Sequence, residues 1–335
     1  MLVSLALKGV AQVLVADPGL GSASHKLAQI VRYGQDQPHL RWRLWMPAST
    51  RLHPESPWQA LASSGLLFAL PHPAPALLLL SDAADWREAK RIYGDRPDLP
   101  KLHLLHGLDL RHWGHGALGQ PAVRVALGEG LAEGLRRSQR LREPLQVLPA
   151  CLDPETLPPP LRLKQGCLVL GRDHPELALA VQQGLLAAGF SCRCELSPWP
   201  RTHWQQAMVD SAVVVHLASP DGRPDLGQRQ LAAMAMGAAL VVDGRPLVDG
   251  LHRHGSNALV CLADAAELIQ AATGLLQDSA LRARLVQGGK AVLLRHRTAL
   301  ERLRFQEVLD QLPSHWSAAR LAHAAPALSP LPPSR

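Results

Sequence analysis

The sequence predicts an α/β protein made of two doubly wound, Rossmann-like domains facing a cleft. Three observations carry this prediction. Short apolar runs alternate with segments of helical periodicity along the chain, as expected where strands of parallel sheets, buried on both faces, are joined by crossover helices. A stiff connector, Asp153-Pro-Glu-Thr-Leu-Pro-Pro-Pro160, interrupts this alternation, and the strand–turn–helix pattern restarts beyond it. At 335 residues the chain is long enough for two cores of ordinary size.

Taken in order, the first unit (residues 1–155) contains expected strands at Gln12–Ala16, Arg41–Met46, Ala76–Leu80, Leu102–Leu105, Val123–Leu127 and Gln146–Pro149. Helical patterns lie between them at Ser24–Gly34, Trp86–Tyr93 and Glu129–Arg140. In the second unit (residues 162–312) strands are expected at Cys167–Leu170, Ser191–Leu196, Ala212–His216, Ala238–Val242 and Ala258–Leu262. Its helices are expected at Glu176–Gly189, Gly227–Met236, Ala265–Leu276 and Ser279–Leu294. A further helix follows Thr298, with Leu300, Leu303, Phe305, Val308, Leu309 and Leu312 at helical spacing. Residues 313–335 end in a Pro- and Ala-rich run and read as a disordered tail.

Composition narrows the function. Apolar residues make up 47% and charged residues 19%, a globular balance rather than a disordered one. The opening segment Met1–Ala16 is apolar but has no basic start, so it reads as part of a buried first strand rather than a leader. The apolar stretch Gly65–Leu80 is broken by Pro71, Pro73 and Pro75, which argues against a membrane-spanning helix. The five cysteines are scattered, with no disulfide framework, which points to a reducing, cytoplasmic setting. Cys192-Arg-Cys194 is too tightly spaced for a zinc knuckle. The net charge of +7 comes mostly from arginine clusters such as Arg136-Arg137 and Arg295-His-Arg297. These suit solvated helix faces, or contact with phosphates or the inner face of an anionic membrane. Nucleic acid is not an expected partner, because aromatics are 4% and are not interleaved with the arginines.

Four places could carry chemistry. Asp17-Pro-Gly19-Leu-Gly21-Ser22 is a strand-to-helix turn whose glycines let backbone approach a ligand at a helix N-terminus. His106, in Leu104-Leu-His106-Gly107, stands at a strand carboxyl end, where a neutral imidazole reaches a hydroxyl or a backbone group. His103, His112 and His115 are near it, but no carboxylate or Cys pair completes a metal set, so none is predicted. Cys167-Leu-Val-Leu-Gly171-Arg172 ends a strand on a cation suited to a phosphate or to a surface ion pair. The loop Ser219-Pro-Asp221-Gly-Arg-Pro224-Asp225-Leu-Gly227 offers two carboxylates, which also suit turn and cap chemistry, and a helix-start glycine.

Several of these segments resemble one family. Leu231-Ala-Ala-Met-Ala-Met-Gly237, then Ala238-Ala-Leu-Val-Val-Asp243 and His254-Gly-Ser-Asn-Ala-Leu-Val260, are similar to the pattern E-G-F-G-L-P-x-L-E-A-M-A-x-G-x-P-V-V-A followed by H-G-x-N-G-L-L-V of GT-B glycosyltransferases of family 4. Val123–Leu135, Gln146–Glu155, Gly171-Arg172 and Asp264–Lys290 extend the resemblance. It implies a GT-B fold and transfer of a glycosyl unit from a nucleotide-sugar donor to a saccharide or lipid-linked acceptor, with retention. Neither metal nor cofactor is implied; the nucleotide sugar is a substrate. Gly19, Gly21, Gly171, Arg172 and Gly227 would lie at the donor, and His106 near the donor sugar. The family's two glutamates fall on Pro224 and Ala232, its donor lysine is missing, and Ala150-Cys151 replaces its Asn-Gly pair. Asp221 or Asp225 would then stand in for a lost carboxylate. The alternative is a catalytically degenerate GT-B protein that serves as a binding or partner subunit.

Overall fold

The computed structural model describes residues 8–19, 22–106, 117–137, 141, 143–197, 201–218, 227–244 and 251–324. The first sheet contains β1 (Gly9–Leu14), β2 (Leu40–Trp45), β3 (Leu77–Leu80), β4 (Lys101–Leu105), β5 (Val123–Leu127) and β6 (Leu145–Leu148). They are all parallel, in the order β2-β1-β3-β4-β5-β6. The second contains β7 (Gln165–Leu170), β8 (Cys192–Glu195), β9 (Ser211–His216), β10 (Ala239–Asp243) and β11 (Leu259–Cys261), again all parallel, in the order β11-β10-β9-β7-β8. Both sheets therefore have one winding, with the chain reversing direction across the sheet between β1 and β3 and between β7 and β9.

Side-chain alternation explains why the strands read as continuous apolar runs. β1 sends Ala11 and Val13 into one core and Leu14 into another on the opposite face. β7 sends Leu168 and Leu170 one way and Cys167 and Val169 the other. All four leucines of β3 are at most 1% exposed, each contributing roughly 1.5–3 kcal/mol by burial.

The helices are α1 (Ser22–Gly34), α2 (Pro57–Leu61), α3 (Ala83–Tyr93), α4 (Glu129–Arg137), α5 (Pro175–Ala187), α6 (Arg201–Val209), α7 (Gln228–Ala235), α8 (Ala265–Gln277), α9 (Ser279–Leu293), α10 (Thr298–Asp310) and α11 (Leu312–Ala324). None of the described helices is long and apolar enough to cross a membrane. α3 begins with a capping box, in which the Asp82 side chain accepts from the N–H groups of Ala84 and Asp85.

The chain crosses between the two halves twice, and the crossings are joined. Leu152 N–H donates to the His296 carbonyl at 3.0 Å, and His296 Nδ1 donates to the Ala150 carbonyl at 2.6 Å. Burial holds the His296 pKa below its ordinary value. After the second crossing, α10 packs on α1 of the first half. Glu301 of α10 is fully buried, pairs with the buried Lys26 and accepts from the Tyr33 hydroxyl at 3.1 Å. Burial raises the Glu301 pKa, although Lys26 opposes the shift.

The expected tail needs correcting. Residues 313–324 belong to α11, and Trp316 and Ala319 complete the core of the first sheet with Leu312. Spacings of four and three residues put these side chains on one helical face. His323 Nε2 then bonds Glu143 Oε1 at 2.7 Å. Residues 325–335 lie outside the described residues.

Candidate functional site

In doubly wound sheets the crevice for ligands opens at the carboxyl ends of the strands, where the winding reverses. In the second half that place lies between β7 and β9. β7 ends at Leu170 and continues into Gly171 and Arg172. A side chain at position 171 would overlap the Cβ of Ala178 in α5, so glycine lets the helix seat against the strand end. The Arg172 guanidinium is held by its neighbour Asp173 through two hydrogen bonds, 2.9 Å from Nε and 2.6 Å from Nη2, and its side chain remains 35% exposed. The Nε and Nη2 edge of this fork is thus taken up by Asp173, and the partly exposed guanidinium stands just past the end of β7.

On the other side of the crevice, His216 ends β9 in register with Leu170 of β7 and Val242 of β10. It is 2% exposed, and the amide of Gln230 lies 3.2 Å from its Nδ1. Asp243, at the end of β10, accepts the Ala218 N–H at 3.0 Å and so fixes where the chain leaves β9. α7 starts after Gly227, which has φ +69 and packs so closely that a Cβ would come 2.7 Å from Leu251. Ala232, at the position of the family's second glutamate, is fully buried in the apolar core with Leu168 and Leu170. Asp221, Pro224 and Asp225 lie outside the described residues.

In the first half the switch lies between β1 and β3. Asp85, 2% exposed, gathers the surrounding loops. It accepts Ala16 N–H at 2.8 Å, Ser81 N–H at 2.9 Å and Asp82 N–H at 3.3 Å. Burial first, and then the nearby Asp82, push its pKa up to about 8. Gly19 N–H turns back to the Asp17 carbonyl at 2.8 Å; Gly21 lies outside the described residues. His106 follows β4 immediately and is partly buried. His103 is fully buried between the Ser81 carbonyl, 3.0 Å from Nε2, and the Arg124 guanidinium. Burial and Arg124 hold it well below its ordinary pKa, so it acts as a neutral structural link.

A cavity of about 480 Å³ opens between the halves beside the connector. Gln29 and Tyr33 of α1, Asp153 of the connector, Gln205 of α6, Gln228 of α7 and Thr298 of α10 line it. Of the sequence-derived candidates, Gly171 and Arg172 directly follow β7 and Gly227 directly precedes α7 in the second half, while in the first half Gly19 lies in the turn between β1 and α1 and His106 directly follows β4. His216, Gln230, Gln205 and Gln228 were not foreseen. Their one visible signal was a histidine ending an expected strand. Glutamines near a helix start read as solvated, and only the packing of the two halves buries them.

Two sheets of this winding, joined by a proline-rich connector and closed by a C-terminal helix that returns to the first, define the GT-B class. The chain has this glycosyltransferase fold, and residues 180–309 match the family model described as glycosyl transferase-like. Among solved structures, Anabaena HepE in complex with UDP-glucose superposes with a TM-score of 0.65 at 14% identity, over 90% of this chain and 99% of that one. Sucrose-phosphate synthase from Thermosynechococcus elongatus gives 0.63 at 10% identity, over 92% and 100%. A glycosyltransferase from Rickettsia africae gives 0.63 at 10% identity, over 91% and 99%. No curated protein matches the sequence.

Proposed function

We propose that the protein transfers a glycosyl unit from a nucleotide-sugar donor to a saccharide or lipid-linked acceptor, with retention and without a metal ion. The observation that carries this reading is Arg172, a partly exposed, geometrically fixed guanidinium at the switch point of the second sheet. Departure of the nucleoside diphosphate builds negative charge on its phosphate oxygens, and a cation already in place stabilises that charge without reorganising. The start of α7 after Gly227 adds backbone N–H groups directed at the same anion. Gly19 and Gly21 would let the first half's backbone approach the donor, and His106 would meet a sugar hydroxyl. Asp221 or Asp225 would supply the carboxylate that Ala232 lacks. HepE in complex with UDP-glucose supports a UDP-sugar as the first donor to try. The arginine-rich surface, including the exposed Arg136 and Arg137 of α4, suits an anionic membrane face, where a lipid-linked acceptor would reside.

A thermal-shift titration with UDP-glucose and a panel of other nucleotide sugars, followed by donor turnover, tests this. A ligand of the folded state raises the melting temperature with the logarithm of its concentration once it is well above Kd. Arg172→Ala is expected to abolish the shift while changing unliganded stability by about 1 kcal/mol or less, as for other surface ion pairs. A well-folded wild type with no shift for any nucleotide would sink the proposal and favour a binding or partner subunit.

A further inference from the structure

We propose that the protein pairs with a second copy of itself through the outer edge of the second sheet, strand β8 and the flank of α5 that overhangs it. β8 ends the order β11-β10-β9-β7-β8, and among the described residues no strand pairs with its outer side. Cys167 N–H donates to the Ser191 carbonyl at 2.9 Å, and Gly171 N–H to the Glu195 carbonyl at 3.1 Å. Alternate residues of a strand present their backbone groups to opposite edges. Ser191, Arg193 and Glu195 therefore face β7, and Cys192 and Cys194 face outward. The Gln182 amide of α5 donates to one of these outward groups, the Cys192 carbonyl, at 3.3 Å. Cys194 turns an N–H and a carbonyl to the same edge, and groups of this kind are a template for another strand.

α5 carries an apolar flank over this edge. It packs on β7 and β8 and, on one side, against α8, where Gly184 meets Ile269. The opposite side carries Gln182 and lies over the outer edge of β8. Leu179 and Leu186 stand three residues before and four after Gln182, which puts all three on one flank. The two leucines are 42% and 50% exposed. No charged residue occurs from Leu177 to Cys192, in a chain that is 19% charged. Depletion of charge around exposed apolar side chains is the mark of an interface core.

The occupant follows from the edge itself. A two-fold axis at Cys194 runs two β8 strands antiparallel, so that each Cys194 N–H donates to the other copy's Cys194 carbonyl. It also sets Arg193 opposite Glu195 of the second copy, and Glu195 opposite Arg193, so both cross-strand pairs join opposite charges. Paired strands lie about 4.8 Å apart. Because α5 covers the last two strands, its two copies then come to about 10 Å from each other, the distance at which helices pack. Leu179 and Leu186 meet their counterparts there. A two-fold contact uses the same edge on both copies and ends the assembly at two. An anionic lipid surface suits this face less well, because Arg193, the single cation of α5 and β8, is already held by Asp210.

Sedimentation velocity and native mass spectrometry on the full chain, across the micromolar range, test this face. Wild type is expected to be a dimer. Leu179→Glu and Leu186→Glu, which place a charge in the apolar contact, are each expected to weaken dimerisation on the order of a hundredfold. Glu195→Arg, which sets like charges opposite each other, is expected to weaken it on the order of tenfold. Leu321→Glu, at a leucine 72% exposed on α11 of the first half, is expected to leave the dimer intact. Circular dichroism on the same samples checks folding, and Glu195→Arg, on a different element, carries the test should a leucine variant fail to fold. A wild type that stays monomeric, a dimer that survives both leucine variants, or equal dissociation by Leu321→Glu overturns the proposal. So does a monomer that binds phosphatidylglycerol vesicles and is released from them by Leu179→Glu.

Discussion

The two halves bury polar groups in different ways. In the first, two sets of buried charges are paired with one another, Lys26 with Glu301, and Arg124 with Glu143, which also receives His323, while Asp85 and Lys101 are met by backbone groups. The contacts of Glu301 with Lys26 and of His323 with Glu143 tie α10 and α11 to the first half, whereas Arg124 and Glu143 are only 19 residues apart. In the second half the buried polar side chains include neutral amides, Gln205, Gln228 and Gln230, beside His216. Its described ion pairs, Arg172–Asp173 and Arg193–Asp210, lie nearer to solvent. The contrast separates two purposes. A buried charge that meets its partner inside the fold is an assembly device, whereas the amide of Gln230 joins α7 to the end of β9 through His216 without any charge.

The largest effect should come from breaking an assembly pair. Glu301→Ala leaves Lys26 buried and unpaired, and should cost about 3–5 kcal/mol in denaturant unfolding. The double change Lys26→Met with Glu301→Leu should recover most of that loss, because an apolar pair of similar volume replaces a desolvated one. A double variant as unstable as Glu301→Ala would show that packing of α10, not the charge, carries the effect. In contrast, Gln228→Leu should leave stability within about 0.5 kcal/mol of wild type, since its side chain lines the cavity at the start of α7. A loss of several kcal/mol would mean that the amide is structural.

The smallest effect concerns pH. Lys101 is 4% exposed and donates to the Arg96 carbonyl at 2.8 Å, and burial holds its pKa down at about 8. Between about 8 and its ordinary 10.5 the folded chain holds fewer protons at this site than the unfolded chain. Lys101 therefore adds stability as pH rises through that window and adds no slope below it. Lys164 shifts the same way, to about 8, so Lys101→Met should remove only part of the rise in urea midpoint. An identical rise in both proteins would mean that Lys101 does not contribute.

Most of the fold was legible because parallel strands buried on both faces leave an apolar imprint. Each expected strand is found with ends displaced by a few residues, and Val123–Leu127 coincides with β5. Three helices escaped. α2 is little more than a single turn, followed by a π-helical turn, Ala62–Leu66, that is kinked at Gly65. α6 is nine residues long and its buried apolar residues, Trp204, Met208 and Val209, make too short a run to show a helical period. α11 was hidden by the proline-rich run after it, although Leu312, Trp316 and Ala319 already stood at helical spacing. At the site, glycines and Arg172 were readable because turn geometry and charge are local properties. Gln205 and Gln228 were not, since their meaning depends on α1, the connector and α10 closing over them.

The return of α10 and α11 to the first sheet also has a consequence for biosynthesis. Phe305, Val308, Leu309, Leu312, Trp316 and Ala319 complete a core that begins with Ala11 and Val13. The ribosome therefore releases the last wall of the first-made half only after the whole second half has emerged. Until then the earliest strands carry an open apolar face, so the amino-terminal half, although synthesised first, is the last to be sealed.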